Sequence, residues 1–160
     1  MYICDCSAFF EANFRLMAEF VIGNVLDHPH LAKNLSLHRS ETHLLMTMET
    51  MDGQDLFELF PPGNELDARP VLREMLSAVA YMHANGIVHR DIKPENIFRA
   101  GTTNNYRLID YGTCEFFEPG FPTASSSGTL YYRAPELLKG TYYDPSKADI
   151  WSLGKTLFNL

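Results

Sequence analysis

A run of eight residues at 89–96, with the sequence His-Arg-Asp-Ile-Lys-Pro-Glu-Asn, most constrains what this chain can fold into. Two short motifs follow it in the chain, Asp-Tyr-Gly at 110–112 and Ala-Pro-Glu at 134–136. A Gly-Thr pair at 128–129 and the segment Asp-Ile-Trp-Ser-Leu-Gly at 149–154 complete the order. Each tripeptide alone is a weak signal, but the ordered set is very unlikely to arise by chance. It therefore indicates one functional site that the fold must assemble from segments far apart in the chain.

Together these motifs resemble the catalytic half of a eukaryotic-type protein kinase of the serine/threonine type. A lysine two residues after the aspartate of the first motif, with the Gly-Thr pair, is typical of serine/threonine kinases and not of tyrosine kinases. The resemblance implies an α+β, protein-kinase-like two-lobed fold that this chain covers in part. Residues 1–48 would form a remnant of the N-terminal lobe, a helix with short antiparallel strands. Residues 49–55 would link the lobes, and residues 56–160 would form the first part of a mainly helical C-terminal lobe.

Phosphoryl transfer requires a carboxylate at the attacking hydroxyl, a cation near the γ-phosphate and oxygen ligands for magnesium. By the resemblance, Asp91 is the catalytic base that accepts or orients the hydroxyl of a protein serine or threonine, and Lys93 is the cation. Thr129 would hydrogen-bond near both. Asn96 and Asp110 would hold Mg²⁺, a hard ion that prefers oxygen ligands. The resemblance thus implies ATP and Mg²⁺ as cofactors and a protein with a Ser or Thr acceptor as the substrate.

Residues 48–56 resemble the segment that links the two kinase lobes and contacts ATP. Met48 would lie behind the adenine, and the backbone of Glu49 and Met51 would bind its edge. Asp55 would reach the ribose.

Other residues of the motifs resemble scaffold positions of the family. The ring of His89 would pack beside Tyr111, and Asp149 would brace the catalytic loop through backbone amides. Arg90 resembles the arginine that binds a phosphate on the activation segment. The available acceptors are Thr123, Ser125, Ser126 and Ser127.

The start of the chain departs from the family pattern. Glu19 resembles the helix glutamate that pairs with an ATP-anchoring lysine, but residues 1–10 match neither that lysine strand nor the glycine-rich phosphate loop. Counting back from Glu19 places the lysine at about Met1. We therefore expect an incomplete catalytic domain, an open edge on its first sheet, and weak or absent turnover by this chain alone.

Two interior positions also depart from the pattern. Gly23 and Asn34 align where active kinases usually place apolar residues of a stack that links the helix to the catalytic loop. A glycine inside a helix costs about 1 kcal/mol relative to alanine. The alignment at Asn34 leaves open a shift of one residue, with Leu35 in that role.

Composition limits the remaining function classes. With 46% hydrophobic and 21% charged residues, the 160-residue chain is globular, and its net charge of −7 argues against non-specific nucleic-acid binding. The three cysteines read as free thiols. Neither Cys-Asp-Cys at 4–6 nor His-Pro-His at 28–30 has a second ligand pair at zinc-site spacing. No signal peptide or apolar run of about 18 residues is present, so we expect an intracellular protein, cytoplasmic or nuclear, without a membrane segment.

Hydrophobic periodicity predicts the elements around the motifs. Helices are expected over residues 9–26, 53–60 and 70–85 and from residue 146 onward, and a hairpin pairs residues 35–37 with 44–48. One face of the third helix would carry Val71, Leu72, Met75, Leu76, Val79 and Met82. Residues 107–109 read as a strand that delivers Asp110, and residues 120–128 read as mobile and exposed.

Two other readings remain open beside the kinase. A non-catalytic kinase-like fragment, acting as a binding or decoy module, is favoured by the absence of the ATP lysine and opposed by retention of Asp91, Lys93, Asn96 and Asp110 together. A small-molecule phosphotransferase of related fold would share the catalytic aspartate and the metal asparagine. The peptide-substrate platform expected at residues 128–136 counts against it.

Overall fold

The structure is a computed structural model that describes residues 2–5, 10–60, 67–101 and 105–158, with side chains described from residue 13 onward. The helices of this part are α1 (Phe10–Val25), α2 (Leu56–Leu59), α3 (Ala68–Ala84), α4 (Pro135–Leu138) and α5 (Pro145–Phe158). The strands are β1 (Tyr2–Asp5), β2 (Asn34–Arg39), β3 (His43–Met48), β4 (Gly53–Asp55), β5 (Ile87–Val88), β6 (Ile97–Ala100), β7 (Tyr106–Leu108) and β8 (Glu115–Phe116). Single 3₁₀ turns cover Pro94–Asn96 and Leu130–Tyr132.

The first sheet is antiparallel, with the strand order β1-β3-β2. It confirms the predicted hairpin and adds β1 along the β3 edge that the hairpin alone would leave open, from Tyr2 opposite Met46 to Asp5 opposite His43. Helix α1 covers one face through a cluster of Leu16, Leu44 and Met46. The alternation of buried and exposed residues along β3 places Leu44 and Met46 on this covered face.

The second sheet has the order β4-β6-β7 and corrects two boundaries. Residues 53–55 form a strand paired with β6 and not the start of a helix, since the neighbouring strand supplies their hydrogen bonds. Helix α2 begins only after Asp55, whose Oδ1 accepts the backbone N–H of Glu58 at 2.8 Å as an N-cap. Strand β7 ends at Leu108, one residue earlier than predicted.

Helix α3 is the central element of the larger core, and its buried stripe differs from the predicted one. Leu72 and Leu76 are each 39% exposed, and Glu74 is buried in the position the apolar pattern did not anticipate. The Oε2 atom of Glu74 accepts the backbone N–H of Tyr106 at 2.8 Å, so the carboxylate joins α3 to β7. At Glu74 a hydrogen bond from a buried polar group takes the place of the apolar contact that periodicity would predict. The apolar part of the stripe is Val71, Met75, Ala78, Val79 and Met82.

The segment 120–128 is largely exposed, as predicted, and hydrogen bonds tie its middle to the segment before α5. Thr123 forms a two-way backbone bridge with Tyr143 through bonds of 2.9 and 3.0 Å, and the Tyr143 hydroxyl donates to the Ser125 carbonyl at 2.5 Å. Helix α5 packs against α3 and places Leu153 in the core that α3 organises. Among the described residues, the helices are too short or too polar for any of them to cross a membrane.

Candidate active site

The loop after β5 holds Asp91 and Lys93 against the Gly-Thr pair at 128–129. Asp91 is buried, and its two carboxylate oxygens have different partners. Lys93 Nζ donates to Oδ2 at 2.7 Å, and the Thr129 backbone N–H donates to Oδ1 at 2.7 Å. Lys93 Nζ also donates to Thr129 Oγ1 at 3.0 Å, which closes a three-membered polar cluster. Segments 38 residues apart therefore converge on one carboxylate.

Two opposing effects set the protonation of Asp91. Burial alone would raise the pKa of its carboxyl group, but the hydrogen bonds from Lys93 and Thr129 and the charge of Lys93 hold that pKa below its usual value. The group is therefore an anion at neutral pH. A buried carboxylate that keeps its charge can accept a proton or orient a hydroxyl.

The β6–β7 hairpin brings Asn96 and Asp110 together. Ile97 lies opposite Leu108, and the Ile109 backbone N–H donates to the Asn96 carbonyl at 3.0 Å. Asn96 therefore directly precedes one strand where Asp110 follows the other. The amide nitrogen of Asn96 donates to the Asp91 carbonyl at 2.8 Å, which leaves its amide oxygen for another ligand.

This pair of oxygen donors fits a hard divalent cation. Asp110 Oδ1 accepts the Gly112 N–H at 3.1 Å, and its other oxygen accepts no hydrogen bond from the described residues. No group of three or more His, Cys, Asp or Glu side chains among the described residues could enclose a metal ion by itself. Magnesium commonly binds through one or two side chains with substrate phosphates and water completing its shell, so the site suits that ion.

Asp149 on α5 supports the catalytic loop from below. Its Oδ2 accepts the backbone N–H of His89 at 2.9 Å, and its Oδ1 accepts that of Arg90 at 2.8 Å. Arg90 has φ +71°, an uncommon conformation for a side-chain-bearing residue, and these bonds hold it. His83 Nε2 contacts Asp149 Oδ2 at 2.9 Å. The motifs predict this role for Asp149, whereas His83 lies outside every motif and no pattern in the sequence indicates its contact.

Aromatic and backbone contacts fix the Asp-Tyr-Gly segment beside this loop. The rings of His89 and Tyr111 lie 6.2 Å apart in an edge-to-face arrangement, as the resemblance implied. The hydroxyl of buried Tyr111 donates to the Ala32 carbonyl at 2.6 Å. This bond ties the residue after Asp110 to the loop between α1 and β2.

A cavity of about 300 Å³ lies between the first sheet and the Asp-Tyr-Gly segment. Met48, Glu49, Met51, Glu19 and Asp110 line it, five of the residues that the sequence assigned to ATP or metal. The cavity is completed by Asn34, Thr50, Phe98, Ile109 and Tyr111.

Asp55 is absent from the residues that line this cavity, since its carboxylate caps α2. The Glu49 N–H donates to the Lys33 carbonyl at 2.9 Å, so only the Glu49 carbonyl is available to a ligand.

Glu19 faces Asp110 and not a cation. Burial and the nearby Asp110 charge raise the pKa of Glu19 to about 7. A Cβ placed on Gly112 would lie 3.2 Å from Asp110 Oδ1 and 3.4 Å from Glu19 Oε2, which shows how close the two carboxylates approach. Within the described chain no lysine or arginine pairs with Glu19.

Gly23 and Asn34 form a complementary pair at the back of the cavity. Asn34 is 1% exposed and Leu35 is 56% exposed, so Asn34 and not Leu35 has the buried position. Asn34 Nδ2 donates to the Glu19 carbonyl at 2.9 Å, and a Cβ on Gly23 would lie only 2.3 Å from that nitrogen. The same Cβ would lie 2.7 Å from the Tyr111 ring. The amide thus occupies the space that the glycine leaves.

Arg90 lies within reach of the 120–128 segment. Its Nη2 donates to Ser125 Oγ at 2.8 Å, and its Nη1 forms an ion pair with Glu115. Of the four candidate acceptors, Ser125 is the one whose hydroxyl contacts this guanidinium.

Comparison with known proteins gives a consistent result. The protein kinase domain family matches residues 9–160. A probable serine/threonine-protein kinase KIN1 homolog from Encephalitozoon cuniculi is 37% identical over 147 residues, 90% of this chain and 26% of the relative. The serine/threonine-protein kinase kin-29 of Caenorhabditis elegans is 40% identical over 160 residues, 98% of this chain and 19% of the relative. An SNF-related serine/threonine-protein kinase of Rattus norvegicus is 34% identical over 153 residues, 93% of this chain and 20% of the relative.

The chain spans about a quarter or less of the length of these relatives. The family match covers nearly all of its residues and every motif from which the site is built. The chain therefore belongs to the eukaryotic-type protein kinase family.

Proposed function

We propose that this chain carries the phosphoryl-transfer site of a serine/threonine protein kinase, which moves the γ-phosphate of ATP to a protein hydroxyl with Mg²⁺. The observation that carries the proposal is the cluster of Asp91, Lys93 and Thr129. It holds a charged carboxylate and an ammonium group 2.7 Å apart, next to Asn96, whose amide nitrogen donates to the Asp91 carbonyl. Serine and threonine acceptors follow from the contact between Lys93 and Thr129, the pair that distinguishes this branch in sequence.

Each residue has a distinct role in this proposal. Asp91 accepts or orients the substrate hydroxyl, and Lys93 neutralises charge on the transferred phosphoryl group. Asn96 and Asp110 hold Mg²⁺, which when bound neutralises the phosphate oxygens and fixes their position. Thr129 holds both side chains in position, since its backbone N–H donates to Asp91 and its hydroxyl oxygen accepts from Lys93.

The cavity lined by Met48 and Met51 accepts the adenine, with the Glu49 carbonyl at its edge. Asp55 can reach the ribose only with Oδ2, because its Oδ1 caps α2. Glu19 has no cation beside it in the described chain, so phosphate positioning is incomplete. Because positioning supplies most of the catalysis, we expect slow transfer by this chain alone.

The test is transfer of labelled phosphate from ATP with magnesium to a generic basic protein and to the chain itself. Asp91→Asn should abolish transfer, because general-base catalysis contributes about 10²–10⁴-fold. Asp144→Asn, a carboxylate at the start of α5 that bonds Ser146, is the matched control and should retain it. Phosphoamino-acid analysis should show phosphoserine or phosphothreonine.

A folded chain that binds no nucleotide and transfers no phosphate would contradict the proposal and identify a binding module instead. Phosphotyrosine as the main product would contradict the assignment of the acceptor.

A further inference from the structure

A junction of three charged residues lies behind the linker, on the side away from the candidate nucleotide cavity. Lys33 precedes β2, Glu49 follows β3, and Arg107 is the middle residue of β7. They line a second cavity of about 460 Å³ that also contacts Asp27, His28, Pro29 and Leu31. Glu49 lines both cavities, whereas Lys33 and Arg107 line only the second. Glu49 is therefore the residue through which this junction touches the nucleotide site.

Glu49 is the centre of the junction. Its Oε1 accepts the Lys33 backbone N–H at 2.9 Å and Arg107 Nη1 at 2.5 Å. Its own N–H donates to the Lys33 carbonyl at 2.9 Å. The backbone N–H and the side chain of Glu49 are thus both fixed by residues of the junction.

Arg107 connects this anchor to the metal-binding segment. The next residue, Leu108, accepts the Ala32 N–H at 3.0 Å and donates its own N–H to the His30 carbonyl at 2.9 Å. Asp110 lies two residues further along the same segment. The segment that leads from β7 to Asp110 is therefore bonded to the loop that carries Lys33, and Arg107 closes the connection to Glu49.

The pair of Glu49 and Arg107 is more protected than an ordinary surface ion pair. Their side chains are 25% and 26% exposed. Arg107 Nε is buried with no hydrogen-bond partner among the described residues, so the guanidinium depends on its bond to Glu49. Loss of that bond would leave a largely buried charge without its partner.

We propose that Glu49 and Arg107 are positioning residues that, with Lys33, fix the linker relative to Asp110 and so set the nucleotide affinity of the cleft. The inference rests on the proposed function in taking a nucleotide as the ligand. A preformed linker spares the ligand the cost of ordering it, so disruption should weaken binding.

The test measures the Kd of the chain for ADP with magnesium by calorimetry. Arg107→Gln should raise Kd by about three- to tenfold, and Arg107→Lys, which can still bond Glu49, should restore it to within about twofold. The transfer rate at saturating ATP should change less than Kd, because Asp91 and Lys93 lie outside the junction. Arg69→Gln is the matched control, since it breaks an exposed arginine–carboxylate pair with Asp67 away from both cavities. Glu49→Gln keeps an acceptor for Lys33 but removes the charge facing Arg107, and should shift Kd in the same direction.

Amide hydrogen exchange of the ligand-free chain separates this inference from the proposed function. The Lys33 N–H should exchange faster in Arg107→Gln than in the wild type and recover in Arg107→Lys. If the wild type binds no ADP, the proposed function fails and the exchange result alone decides for or against the junction. Unchanged Kd in Arg107→Gln, or unchanged Lys33 exchange, would overturn the inference.

Discussion

The candidate site has two ends: the substrate end around Asp91 and the nucleotide end around Glu19 and Asp110, named for the ligands proposed above. They differ in the partners that their carboxylates have. At the substrate end, Asp91 receives bonds from Lys93 and Thr129, and its pKa lies below the usual value although burial opposes this. At the nucleotide end, Glu19 and Asp110 face each other, and burial together with the Asp110 charge raises the pKa of Glu19 to about 7. The fold itself supplies the partners that stabilise the Asp91 carboxylate. The repulsion between Glu19 and Asp110 would instead be reduced by an added positive charge.

This difference gives the two ends opposite responses to pH. The stabilisation from Asp91 is present above its unfolded-state pKa and is lost as the pH falls through its lower folded value. The stabilisation from protonated Glu19 is present below its unfolded-state pKa of 4.5 and is lost as the pH rises through about 7. Acid should therefore loosen the catalytic loop first, whereas a rise in pH from about 4.5 to about 7 should loosen the nucleotide end.

Asp149→Ala should have the largest effect on stability, because it breaks the support of the substrate end. The buried carboxylate accepts the N–H groups of His89 and Arg90 and contacts His83, and the variant leaves all of them without this acceptor. We expect the free energy of unfolding to fall by about 3 kcal/mol or more. Urea titration followed by circular dichroism measures it.

Asp144→Ala is the control for that prediction. Asp144 is also on the approach to α5, but it is near the surface and bonds only Ser146 and Lys147 in the described chain. Its loss should cost about 1 kcal/mol, as for an ordinary cap. Equal losses in the two variants would show that Asp149 does not support the loop.

Gly23→Ala tests the packing behind the nucleotide end. The added Cβ would lie 2.3 Å from Asn34 Nδ2, so Asn34 must move and give up its bond to the Glu19 carbonyl. This cost exceeds the gain of about 1 kcal/mol from helix propensity. We expect a net loss of about 1–2 kcal/mol in the free energy of unfolding, measured by urea titration.

The double variant of Gly23→Ala with Asn34→Ala examines the mechanism of that loss. Without the amide there is space for the Cβ, so the double variant should be less destabilised than the sum of the two single variants. Additive losses would mean that the two residues are not complementary. A stabilised Gly23→Ala would mean that helix propensity alone governs the position.

The catalytic loop was more predictable from sequence than the nucleotide end because its contacts follow from local spacing. Asp91, Lys93 and Asn96 lie within six positions, and Thr129 and Asp149 belong to motifs of their own. The β6–β7 hairpin that brings Asn96 to Asp110 was only half anticipated, because β6 has no clear periodic signal.

The errors arose where a tertiary bond replaced a local pattern. Residues 53–55 read as helical but pair with β6, a contact outside any local window. Glu74 interrupts an apolar stripe because its carboxylate bonds the Tyr106 backbone, and periodicity cannot register such a bond. Gly23 and Asn34 appear in the sequence as two separate departures from the family pattern, because their complementary packing exists only in three dimensions.

Tyr111→Phe should have a smaller effect on stability than Asp149→Ala. It tests the bond that ties the segment after Asp110 to the loop between α1 and β2. Removal of the hydroxyl leaves the edge contact with His89 but breaks the 2.6 Å bond to the Ala32 carbonyl. We expect a loss of about 1 kcal/mol in the free energy of unfolding, the usual contribution of one hydrogen bond. Tyr142→Phe, at an exposed tyrosine, is the control and should change it little. A Tyr111→Phe variant as stable as the wild type would show that the bond does not hold the segment.

Glu19→Gln should have the smallest effect, and its sign should depend on pH. Glutamine cannot ionise, so the variant avoids the cost of a buried anion beside Asp110 that the wild type bears above about pH 7. At pH 8 the variant should be more stable than the wild type, by less than about 1 kcal/mol because Glu19 is only half-buried and solvent screens the repulsion. At pH 4, below the unfolded-state pKa of 4.5, the two should be nearly equal, since Glu19 is then mostly protonated in both the folded and the unfolded state.

Urea titrations at pH 4 and pH 8 measure this difference, with Glu58→Gln as a control at an exposed glutamate. Glu58 is exposed, and solvent screens charges at the surface, so its variant should differ little in stability from the wild type at either pH. Added Mg²⁺ should reduce the advantage of Glu19→Gln at pH 8, because a cation at Asp110 offsets the same repulsion. A variant less stable than the wild type at pH 8 would mean that charged Glu19 has a favourable partner, and the contrast between the two ends of the site would then fail.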